Sequence, residues 1–110
     1  MIFVTGPLFA GKEEYIKSAL GLSDAEFKAC AVRDVQELAA ETDDLTALAD
    51  RLSAYRVVIA TEVGGGVVPI DEKQRRDREA AGRLACLLSE RAETVVRVCC
   101  GLPQVLKGKL

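Results

Sequence analysis

A chain of 110 residues with 49% apolar and 29% charged residues is long enough for one buried core and too apolar to be disordered. Its formal charge of −2 removes the electrostatic case for a nucleic-acid partner, and no apolar run approaches the ~20 residues of a membrane span. The chain contains no histidine, which excludes imidazole bases, histidine metal ligands and phosphohistidine-type intermediates.

Ile2, Phe3, Val4 and Thr5 are β-branched or aromatic and predict a buried strand. Gly6-Pro7-Leu8-Phe9-Ala10-Gly11-Lys12 follows with the glycine and lysine spacing of a phosphate-binding loop. Gly6 permits a sharp exit from the strand, and Gly11 lets backbone N–H groups close around an anion. Lys12 brings a positive charge to terminal phosphates, and the next helix points its N-terminal dipole at them. Glu13 stands where such loops carry the Ser or Thr that holds Mg²⁺. The competing reading is a glycine-containing turn that binds nothing.

Lys12 to Leu20 reads as a helix ending at Gly21, with Tyr15, Ile16, Ala19 and Leu20 as its buried stripe. Ser23 and Glu26 have capping-box spacing for a short turn over Asp24–Lys28. Ala29 to Val32 reads as a second strand, followed by Arg33-Asp34 and a weakly helical segment from Glu37 to Glu41. Leu45, Leu48, Ala49 and Leu52 recur on one helical face. Arg56 to Ala60 reads as a third strand, its uninterrupted apolar run suited to a sheet covered on both faces.

Glu62 then precedes three consecutive glycines, Gly64 to Gly66, flanked by Val63, Val67 and Val68, which argues against free solvent exposure. Asp71 to Arg91 is the longest predicted helix, with a basic first half that reads as a solvated face. Thr94 to Cys100 is a fourth strand, ended by Gly101-Leu102-Pro103. Cys30, Cys86, Cys99 and Cys100 include no CxxC pair and read as reduced, mostly buried thiols of a cytoplasmic protein. The N-terminus also lacks the basic and long apolar segments of a signal peptide. Strand–helix alternation predicts one α/β domain over 1–110 with a mainly parallel sheet flanked by helices.

Three strands thus end in a chemically useful group: the glycine loop, Asp34 and Glu62. The carboxyl ends of strands line the ligand crevice of open α/β sheets. Asp34 is suited either to supporting Mg²⁺ or to capping the next helix.

The stretches TEVGGGVVP, RRDREAAGRL and VVRVCCGLPQVLK resemble the adenosylcobinamide kinase/adenosylcobinamide-phosphate guanylyltransferase family. Glu62, Val63, Gly64, Gly66, Val68 and Pro69 match its N-E-V-G-x-G-[IV]-V-P segment. Arg75, Arg78 and Gly82 match its R-x-x-R-D-x-x-G helix, and Gly101, Leu102 and Pro103 its A-G-L-P. The resemblance implies a RecA-like phosphate-loop NTPase fold with strand order 4-1-3-2. It implies phosphorylation of an adenosylcobinamide-like corrinoid by ATP or GTP with Mg²⁺, and small homo-oligomers. Gly6 to Lys12 would hold the nucleotide with Glu13 beside it, Lys12 and Glu62 would serve catalysis, and Asp34 would support the metal. The family's R-H-x-x-x-R-P guanylylation segment has no counterpart, and Thr61 and Ala85 replace family asparagines. Two other readings remain: a catalytically weakened nucleotide- or corrinoid-binding relative, and an ATPase unrelated to cobalamin.

Overall fold

The computed structural model describes residues 1–63 and 71–110. Among them, five strands form one sheet: β1 (Ile2–Gly6), β2 (Ala31–Val32), β3 (Val57–Thr61), β4 (Thr94–Cys99) and β5 (Leu102–Lys107). The helices are α1 (Lys12–Leu20), α2 (Asp24–Cys30), α3 (Val35–Ala39), α4 (Leu45–Leu52) and α5 (Glu72–Arg91). The sheet order is β2-β3-β1-β4-β5. The first four strands are parallel, and β5 returns antiparallel beside β4.

Because side chains alternate along a strand, each apolar run feeds two cores. Phe3, Val58, Ala60 and Val95 pack with α3, α4 and α5 residues such as Val35, Leu48 and Leu88 on one face. Val4, Val57, Ile59, Val96 and Val98 meet Ile16 on the other, with Tyr15, Leu20 and Phe27 alongside. A sheet covered on both faces is why these strands read as continuous apolar segments. The helix after β1 covers one face and the helix after β3 the other, so the chain reverses its winding at the carboxyl end of β1. That crevice is the expected ligand position in such sheets.

The predicted order of the four parallel strands matches the sheet, and β4 ends before Gly101 as expected, but a fifth strand that the sequence reading does not include follows. Cys100 and Gly101 both take left-handed φ, 55° and 73°, and form a two-residue hairpin turn into β5. Every residue of β5 is exposed, so the strand lacks the apolar run by which the others are recognised. Lys107 reaches back from it to donate to the Ser89 and Glu90 carbonyls at the end of α5. Three smaller expectations also change. Cys86, Cys99 and Cys100 are exposed thiols, because Cys99 and Cys100 sit at the hairpin end and not within the covered sheet. Ala19 faces solvent, since the covered stripe of α1 runs through Lys12, Ile16 and Leu20 at i, i+4 spacing. Val63 is 45% exposed.

Candidate functional site

The glycine loop is held from three sides. Gly6 leaves β1 with φ 155°, and its carbonyl accepts the Glu62 N–H at 2.8 Å, joining the ends of β1 and β3. From the other side the Gly101 N–H donates to the Ala10 carbonyl at 2.8 Å. A side chain at Gly11 would meet the Gly101 backbone at 3.5 Å, so the hairpin turn packs closely on the loop. Gly11 has φ 83° and is the N-cap of α1, so no side chain caps this helix. The N–H groups of its first turn have no intrahelical acceptors and remain available to an anion.

Lys12 is buried, and its Nζ donates to the Gly6 and Pro7 carbonyls at 3.3 and 2.8 Å. The ammonium group is thus folded over the loop with its donors directed at loop carbonyls, and not extended into solvent. Burial pushes its pKa down, against the attraction of Asp34, Glu62, Glu13 and Glu14. Phe9 holds a left-handed φ of 58° with its ring 94% exposed, and Leu8 beside it is also exposed.

The two strand-end carboxylates reach the site differently. Asp34 is the N-cap of α3 with φ 56°, yet its side chain caps no N–H, so the capping alternative does not hold. A non-glycine residue kept in that region is characteristic of functional positions. Its charge is the largest attraction felt by Lys12. Glu62 is clamped by Arg97 of β4, whose Nε and Nη2 lie 2.6 and 3.0 Å from the two carboxylate oxygens. The Arg97 hydrogen bonds hold the Glu62 pKa below the ordinary glutamate range, with Lys12 adding a weaker pull. The pair's contribution to stability is present at neutral pH and is lost as pH falls through that depressed value. Arg97→Gln should raise the titration midpoint of Glu62 measured by carboxyl NMR. An unchanged midpoint would show that the pair does not govern Glu62.

Glu13 is bound at 2.8 Å by Arg33. The loop, α1 and the ends of β2 and β3 enclose an open cavity of about 320 Å³. Leu8 through Glu14, Arg33, Asp34, Ile59 and Thr61 line it. A second cavity of about 470 Å³, between α1, α2 and β2, shares Glu13 and Arg33 with the first. The fold thus brings Gly6–Glu13 and Asp34 to one crevice and sets Glu62 at its edge. Gly64, Gly66, Val68 and Pro69 lie outside the described residues. Arg33, Arg97 and Gln36, whose Oε1 accepts the Thr61 N–H at 3.0 Å, were not singled out by sequence reasoning. Only the adjacency of Arg33 to Asp34 could have drawn attention to any of them.

Sheet, loop and strand-end carboxylates define a mixed α/β protein with a candidate site at the carboxyl ends of its parallel strands. The chain belongs to the cobinamide kinase/cobinamide phosphate guanyltransferase family, whose model matches residues 2–106. It is similar to the bifunctional adenosylcobalamin biosynthesis protein CobP of Pseudomonas aeruginosa, with 37% identity over 76 residues. That match takes in 69% of this chain and 44% of the relative, so the chain spans less than half of that protein's length. The family is the one the sequence motifs resemble.

Proposed function

We propose that this chain carries out the kinase half of its family's chemistry, phosphorylating the aminopropanol hydroxyl of an adenosylcobinamide-like corrinoid with ATP or GTP in cobalamin biosynthesis. The observation that carries this reading is the loop itself. A buried lysine and an uncapped helix N-terminus meet at the carboxyl end of the central strand, with Asp34 alongside. The fold in this reading is a single RecA-like phosphate-loop domain over 1–110, acting in the cytoplasm. Among the described residues no helix is long and apolar enough to cross a membrane. Exposed Leu102, Val105 and Leu106 on the edge strand β5 support assembly into small homo-oligomers.

Lys12 and the backbone of Gly6 to Gly11 bind the nucleotide phosphates. Asp34, uncommitted to a helix cap, would be the residue to hold Mg²⁺. Among the described residues no cluster of three acidic or cysteine side chains could bind a metal unaided. Mg²⁺ sites characteristically use one or two carboxylates, with phosphate and water completing the shell. When bound, Mg²⁺ neutralises charge on the transferring phosphoryl group. The corrinoid hydroxyl oxygen attacks the γ-phosphorus as the bond to the β–γ bridging oxygen breaks, releasing the nucleoside diphosphate. Glu62, held by Arg97 in its ionised form, orients the hydroxyl. Proton removal contributes little to a loose phosphoryl-transfer transition state.

Incubation with Mg²⁺ and ATP or GTP, with and without adenosylcobinamide, tests the reading, and adenosylcobinamide phosphate is the expected product. Nucleotide hydrolysis indifferent to the corrinoid would indicate an unrelated ATPase. The Glu13–Arg33 pair favours a second reading, a weakened relative that binds nucleotide or corrinoid without turnover. With no histidine in the chain, labelled GTP should leave no acid-labile guanylyl adduct on the protein. Recovery of such an adduct would mean that another residue carries the guanylyl group.

A further inference from the structure

The charges around the glycine loop do not favour a polyanion. Of the charged side chains that line its cavity, Glu13, Glu14 and Asp34 are acidic and only Lys12 and Arg33 are basic. Lys12 is already surrounded by carboxylate fields and engaged with two carbonyls. Arg33 is different. Its side chain is 66% exposed, and it gives a single hydrogen bond, Nη1 to Glu13 Oε1. A guanidinium carries five N–H donors in a planar fork that matches phosphate oxygens. Among the described residues four of them have no acceptor.

The backbone places this fork well. Arg33 follows the short parallel strand β2 and precedes Asp34, whose left-handed φ turns the chain into α3. Glu13 lies in the first turn of α1, one residue after Lys12. Its carboxylate lines the same cavity as Lys12 and Asp34, and without Arg33 that negative charge would repel the phosphates.

We propose that Arg33 is a ligand for the terminal phosphates of the nucleotide, and that Glu13 holds its guanidinium at the edge of the empty site. The inference rests on the nucleotide reading above. Binding transfers some or all of the fork from the single charge of Glu13 to the more highly charged phosphates. Glu13 thereby lowers affinity while keeping Arg33 in place, and the residue that departs from the phosphate-loop pattern becomes part of how the site is set.

Equilibrium titration with inorganic triphosphate and Mg²⁺, and in parallel with ATP or GTP and Mg²⁺, tests this in a mutant cycle. Glu13→Gln should tighten binding, and Arg33→Ala should weaken it by about tenfold, the scale of one charge-assisted hydrogen bond. The deciding comparison is Arg33→Ala in the Glu13→Gln background, where there is no charge left on Glu13 for Arg33 to neutralise. A ligand role predicts that the weakening persists, with Arg33→Lys recovering part of it. If Arg33→Ala has no effect in that background, Arg33 only neutralises Glu13 and the inference is wrong. Lys12→Ala separates the two readings. Lys12-dependent binding that ignores Arg33 overturns the inference alone, and absence of binding in every variant overturns the nucleotide reading with it. Thermal melting of each variant keeps loss of folding from passing as loss of binding.

Discussion

Lys12→Ala is expected to reduce affinity for Mg·ATP or Mg·GTP by about a hundredfold, because a buried ammonium contributes two charge-assisted contacts at roughly tenfold each. In the folded chain the group is oriented by the Gly6 and Pro7 carbonyls, so it enters the site with little ordering left to lose. Stability should change far less, by about 1 kcal/mol, since the Gly6 carbonyl keeps the Glu62 N–H and the Pro7 carbonyl is only part-buried. Titration calorimetry beside thermal melting separates the two effects. Unchanged affinity would show that Lys12 serves only to tie the loop to the helix.

Gly6→Ala is expected to produce the largest loss of stability from a single methyl group. A Cβ at this position would lie 2.1 Å from the Val98 carbonyl oxygen, and the residue holds φ 155°. The obstacle is the backbone of β4, paired with β1 on one side and β5 on the other, which cannot rotate away as a side chain would, so the cost should reach about 3 kcal/mol. The effect extends into the site, because the Gly6 carbonyl also receives the Glu62 N–H and the Lys12 ammonium. Denaturant unfolding measures the first effect and nucleotide affinity the second. Gly82→Ala is the matched control: a Cβ meets nothing within 4 Å in the middle of α5, and helix propensity predicts a gain of about 0.5–1 kcal/mol. A Gly6→Ala protein as stable as that control would mean that β1 and β4 can separate at little cost.

Much of the site was legible in the sequence because its signals are local. Gly6, Gly11 and Lys12 sit within seven residues of one another, and a strand–loop–helix junction needs only those residues and their neighbours. The parallel strands announce themselves because burial on both faces leaves no polar position in β3 before Thr61, its burial being complete from Val57 to Ala60. The capping box at Ser23 and Glu26 is likewise a short-range pattern, and both of its hydrogen bonds form.

What the tertiary structure decided lies between positions distant in the chain. Arg97 clamps Glu62 across 35 residues, and Arg33 reaches Glu13 across 20. Nothing local to either partner selects the other, since any exposed arginine could pair with any exposed glutamate until the sheet order places β4 and β2 beside the loop. Strand β5 shows the same limit in backbone form. Its side chains are exposed throughout, so its pairing is determined by the left-handed Cys100-Gly101 turn and the free edge of β4. By itself the sequence determined the strand–loop–helix junction at Gly6 to Lys12 and the two-faced core, both properties of residue type and short spacing. Which charges face one another in the crevice depended on the packing of the finished sheet, because electrostatic partners are chosen by distance in space.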